Sequence, residues 1–158
     1  MARKAVSVKA RSYVISVSVD KGCYRHIRID ADSVLGQFSE AILEAFEFDD
    51  DHLHVFFMDN RAWSRDPYAC YWSDPDDEMD DNVNPSTYEI TLRELNPEEG
   101  TKFMYLFDFG DEWRFSCRVL QVLDEQTKKP QVVRSVGAAP EQYPSWDEDE
   151  DEEEPEDE

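Results

Sequence analysis

The stretch Phe103-Met104-Tyr105-Leu106-Phe107-Asp108-Phe109-Gly110-Asp111-Glu112-Trp113 limits what this chain can fold into more than any other. Phe103, Tyr105, Phe107 and Phe109 alternate with Met104 and Leu106, so both faces of the run are apolar. A strand apolar on both faces belongs in the middle of a sheet, because at an edge or over water half of it would stay solvated. Asp108-Phe109-Gly110-Asp111 breaks the run, and Gly110 is the residue expected to supply a positive φ for a tight turn. Trp113, Phe115, Cys117 and Val119 then share one face of a returning strand. The expectation is a β-hairpin with an acidic tip in the middle of the core.

The flanking sequence supplies the rest of a sheet. Tyr13, Ile15, Val17 and Val19 alternate with Val14, Ser16, Ser18 and Asp20, a half-buried strand, and Asp20-Lys21-Gly22 is turn chemistry. In the return strand Cys23, Arg25, Ile27 and Ile29 share one face and Tyr24, His26 and Arg28 the other. Arg25 on the apolar side implies a strand end or a carboxylate partner. A helix capped by Asp32 or Ser33 runs to about Glu47, with Val34, Leu35, Phe38, Ala41, Ile42, Ala45 and Phe46 as its apolar stripe. His52 to Met58 reads as a strand, and a short one is expected around Ala62-Trp63. Residues 64–86 read as a loop carrying the acidic run Asp74 to Asp81, and loops of that length are often functional. Thr87 to Leu95 fits either a short strand or one helical turn, and Gln131 to Ser135 an edge strand. The predicted fold is α+β: a mainly antiparallel sheet of five to six strands with one principal helix on one face. Residues 1–11 form a basic leader, 12–136 a single domain and 137–158 an acidic tail expected to be disordered.

Charge narrows the function classes. The formal net charge is −22, and from Asp147 to Glu158 every residue but Pro155 is acidic, which accounts for 11 charges and leaves −22 + 11 = −11 elsewhere. Such a field disfavours phosphate backbones and anionic membranes, so direct nucleic-acid or membrane binding is not expected. Three widely spaced cysteines, Cys23, Cys70 and Cys117, do not suggest a disulfide scaffold, and no run is apolar enough to span a bilayer. A reduced, cytoplasmic protein is the expectation.

Tyr24-Arg25-His26-Ile27, His52-Leu53-His54-Val55-Phe56, the run from Tyr105 to Trp113 and Gly137-Ala138-Ala139-Pro140-Glu141 together resemble the plasmid Orf-three-like family, also labelled transposon-passenger TnpR-like. The resemblance covers about Tyr13 to Tyr143, and the Asp108-Phe109-Gly110-Asp111-x-Trp113 element is its most specific mark. It implies a small α+β fold and an intracellular, mainly prokaryotic protein, with no established activity. Two positions depart from the family pattern: Tyr24 stands where tryptophan is usual, and Phe115 where histidine follows the hairpin tryptophan. If that histidine were a catalytic base, this chain has lost it.

The candidate cluster is His52, His54, Tyr105, Asp108, Asp111 and Trp113. Asp108 and Asp111 fit paired carboxylates, but aspartates flanking a glycine more often shape the turn by accepting backbone N–H groups. His52 and His54, two apart on one strand, fit a metal site with Asp108 or Asp111, although histidines so placed are more often core or rim residues. Glu78, Asp80, Asn82, Asn84 and Glu89 fall at EF-hand spacings, but Val83 stands where that loop needs glycine and Pro85 interrupts it. No phosphate-binding glycine loop or serine-hydrolase elbow is present, and no cofactor is implied. The sequence therefore favours a non-enzymatic binding module for an unknown protein partner over a metal-assisted hydrolase.

Overall fold

The computed structural model describes residues 10–70 and 84–142. The acidic run at 74–81, most of the EF-hand-like spacing, the first nine residues of the leader and the acidic run from Asp147 lie outside the described residues.

Among the described residues seven strands and two helices follow in the order β1 (Ser12–Asp20), β2 (Cys23–Asp30), α1 (Leu35–Ala45), β3 (His54–Phe57), β4 (Pro67–Ala69), α2 (Leu92–Leu95), β5 (Lys102–Phe107), β6 (Trp113–Leu123) and β7 (Gln131–Val136). They form one antiparallel sheet in the order β4-β3-β5-β6-β1-β2-β7. The fold is α+β as expected, but with seven strands rather than five or six and a second helix. The extra strand is β4, three residues inside the expected loop. It starts at Pro67, which has no N–H to offer, so it is confined to the sheet edge, opposite Phe57. No strand forms at Ala62-Trp63; Trp63 sits in a turn at φ 59°. Of the two alternatives for Thr87 to Leu95, the helical turn forms, and Thr91 caps it by accepting from the Glu94 N–H.

Burial follows the alternation. Tyr13, Ile15, Val17, Ile27, Ile29, Phe103, Tyr105, Phe107, Phe115, Cys117 and Val119 meet Leu35, Phe38, Ile42 and Phe46 of α1 in the main core. Val55, Phe57, Ala69 and Leu106 form a smaller cluster on the other side of the sheet, which is why β5 is apolar on both faces. At the start of α1 Val34, rather than Asp32 or Ser33, holds the N-cap position, and its N–H is accepted by the Gln37 side chain. Gly36 is needed where it stands, since a Cβ there would fall 2.3 Å from the Tyr88 ring.

Arg25 is buried near the start of β2, the first of its two expected settings, and has no carboxylate partner among the described residues. Its guanidinium donates to the carbonyls of Tyr24, Ala45 and Val136 and lies 4.8 Å from the Phe46 ring centroid. The Ala45 carbonyl ends α1, where the helix dipole favours a cation.

Residues on either side of 12–136 also make contacts. Arg93 donates to the Ala10 carbonyl, and the Arg11 N–H to that of Leu123. At the other end Gln142 is buried: its side chain accepts from the Asp49 N–H at 2.7 Å and donates to the Asp49 carbonyl at 3.1 Å.

Candidate functional site

The hairpin tip arises from a reversal of backbone hand. Asp108 (φ 67°) and Glu112 (φ 51°) take the left-handed conformation, and Gly110, expected to do so, does not. Asp108 tolerates it because its carboxylate closes the turn: Oδ1 accepts the N–H groups of Gly110 and Asp111, both at 3.2 Å. The same reversal ends the alternation of β5. Phe109 therefore does not join Phe107 in the main core; it packs on the smaller cluster and against Trp63, centroids 5.4 Å apart.

The candidate residues separate into three settings. Tyr105 and His54 are core residues: Tyr105 shares a 2.6 Å hydrogen bond with Ser39, and His54 Nε2 one of 2.8 Å with Thr87 Oγ1. Burial pushes the His54 pKa down to about 4. Asp108, 6% exposed, meets the more exposed His52, whose Nε2 lies 3.4 Å from Oδ2. Trp113 is partly buried, edge-on to Phe48, while Asp111 points to solvent. Only His52 and Asp108 are thus brought together as a polar pair. His54 Nε2 is engaged by Thr87, and among the described residues no three His, Cys, Asp or Glu side chains could hold an ion.

A second constellation lies on the sheet face away from α1. Strand register sets Arg134 opposite His26, His26 opposite Ser16, Ser16 opposite Arg118, and Arg118 opposite Lys102. Paired residues project from the same face, so these five make one rung across β7, β2, β1, β6 and β5, roughly 19 Å wide at about 4.8 Å per strand. The neighbouring rung carries Tyr24, Ser18, Ser116 and Met104. Ser16, Ser18, Ser116, Lys102, Arg118 and Asn60 line a shallow bay of about 360 Å³ there. Residues 14, 16, 18, 24, 26, 28, 102, 104, 106, 114, 116 and 118, which project on this side, include no carboxylate; further along the ladder Asp30, opposite Ser12, does, and its oxygens accept the Asp32 and Thr127 N–H groups. Arg28 and Arg114 meet Glu125 and Glu112 at the rim, whereas Lys102, Arg118 and Arg134 have no ion-pair partner among the described residues. His26 feels the field: burial, and then the Arg134 charge, lower its pKa. Trp63, 49% exposed, borders the same face, packed on Phe57 and Phe109.

Sequence reasoning missed this face because the net charge drew attention to acids. The signal was present in the outward positions of β2 and β6, where Tyr24, His26 and Arg28 and then Arg114, Ser116 and Arg118 alternate with core residues.

The family model described as plasmid pRiA4b ORF-3-like protein matches residues 12–143. The chain belongs to that family. The match spans the whole described sheet and ends one residue beyond the buried Gln142; it is to the ORF-3-like family and says nothing of TnpR. Among solved structures, a protein of unknown function from Methanosarcina mazei Go1 has a similar fold, with a TM-score of 0.61 and 22% identity over 78% of this chain and 68% of that one. No match was found among curated proteins. The ORF-3-like chain therefore shares its fold with a protein whose own function is unknown.

Proposed function

We propose that the protein is a non-enzymatic protein-interaction module whose contact surface is the open sheet face, and that its partner presents an acidic segment. The observation that supports this is a row of Lys102, Arg118 and Arg134, without carboxylate partners among the described residues, on a chain of net charge −22. Most of the molecule repels acidic proteins, so a cationic, hydroxyl-lined strip is where one can land in a fixed register. Ser16, Ser116 and Asn60 add hydrogen-bond donors, and Trp63 with Phe109 adds an aromatic margin of the kind enriched at binding hot spots. The polar pair His52–Asp108 is the strongest arrangement for chemistry, yet it is occupied in fixing the hairpin tip. The three cysteines are unpaired, and no helix among the described residues is long and apolar enough to cross a membrane; both suit a cytoplasmic setting.

The test is affinity capture with the full chain and its Lys102→Glu/Arg118→Glu variant, both checked for folding by circular dichroism. A partner held by the parent and released by the variant is the expected result. Undiminished capture by the variant overturns the assignment of the surface, and turnover of a small substrate without any partner overturns the module.

A further inference from the structure

We propose that the open sheet face is a docking site for this chain's own acidic segment, Asp147–Glu158. The inference rests on the reading of that face as a contact surface and names its resident occupant.

Charge complementarity is the first argument. The row supplies Lys102, Arg118 and Arg134, and the segment supplies 11 carboxylates in 12 positions, so anions can meet every cation of the rung in more than one register. The hydroxyls of Ser16 and Ser116 in the bay can donate to carboxylates between the cations. A neutral or basic segment would gain nothing there, and no other stretch of the chain is as acidic.

The second argument is reach. The described chain ends at Gln142, pinned to Asp49. Gly137 lies against Gly22 in the β1–β2 turn, and Asp49 follows Phe48, which packs on Trp113 at the start of β6. The chain therefore leaves from the sheet end that carries the β1–β2 turn and the hairpin tip. Ser18 and Ser116, near that end, are paired and border the bay. The 16 residues that follow Gln142 can extend to about 50 Å, more than twice the width of the rung. Tethering supplies an effective concentration in the millimolar range, so contacts weak in isolation suffice to hold the segment in place.

The experiment compares the full chain with a full-length variant in which the 11 acids of 147–158 become Asn or Gln, by backbone amide NMR at low and at about 0.5 M salt, where the Debye length is only a few ångströms. The expected result is a set of shift differences centred on Ser16, His26, Lys102, Ser116 and Arg118, lost at high salt and independent of protein concentration. Arg118→Glu with the native tail should move the neighbouring resonances in the same direction as neutralising the tail. Differences that are absent, or that fall on the α1 side, overturn the proposal. Differences that grow with protein concentration assign the tail to a second copy and overturn docking within one chain. A face that ignores the tail but still loses its partner through Lys102→Glu/Arg118→Glu removes this inference alone and leaves the contact surface standing.

Discussion

Trp113 meets Phe48 edge to face, ring centroids 4.9 Å apart at 75°, and so ties the start of β6 to the segment that follows α1. The indole is partly buried, and its Nε1–H is enclosed without an acceptor among the described residues. Trp113→Ala removes the packing and should cost about 2–4 kcal/mol, at the lower end for a large aromatic because the ring is not wholly enclosed. Trp113→Phe keeps the aromatic contact and deletes the unsatisfied donor, so it should cost well under half as much. Urea denaturation of the three proteins checks the order; equal losses for both variants would show that the indole nitrogen matters.

At the tip the two aspartates should behave differently. Asp108 accepts two backbone N–H groups from a left-handed conformation, so Asp108→Ala loses both bonds and strains the turn, at about 1–3 kcal/mol. Asp108→Asn retains an acceptor and a residue that tolerates positive φ, and should recover most of that loss. Asp111 is exposed, and Asp111→Asn should stay within about 0.5 kcal/mol. Thermal midpoints measured side by side distinguish these cases. Loss of partner capture by Asp111→Asn in a stable protein would move the contact surface to the tip.

His54 gives the fold a pH dependence of known sign. Its pKa is about 4 in the folded chain against 6.5 when unfolded, because burial disfavours the imidazolium. Between those values the unfolded state binds more protons, so stability rises with pH across the window. The contribution is fully present above about 6.5, is lost as pH falls toward 4, and amounts to at most roughly 3 kcal/mol. His54→Gln should lower stability at pH 7.5 yet flatten its fall between pH 6.5 and 4.5. A parent and variant with parallel pH profiles would show that His54 titrates normally.

Gly137 takes φ 84°, and a Cβ there would stand 2.2 Å from the Gly22 carbonyl oxygen. Backbone offers no rotamer to move aside, so Gly137→Ala should cost about 2–4 kcal/mol from strain and overlap together. Gly22 has φ 74° but open space around it, and Gly22→Ala should cost less. Denaturant midpoints of the two variants make the comparison.

The core was legible in the sequence because alternation in β1, β2, β5 and β6 and the stripe of α1 are local patterns that survive folding. Phe109 was misplaced because one left-handed residue, Asp108, resets the alternation, and nothing in the string announces a positive φ at an aspartate. β4 escaped notice because three residues led by proline carry no period. Arg25 finds its partners in three carbonyls, which no side-chain count can reveal. The cationic rung was invisible for a deeper reason: His26, Lys102, Arg118 and Arg134 are far apart in sequence and become neighbours only through register.

The central claim is that the open face binds acidic peptide. Calorimetric titration of a synthetic peptide of residues 147–158 into the full-length chain with its own tail neutralised tests it most directly. The account expects binding that weakens at least tenfold as salt rises from about 20 to 200 mM and that disappears in the same chain carrying Lys102→Glu and Arg118→Glu. Equal affinity for the parent and charge-reversed faces, or no binding at low salt, would contradict it.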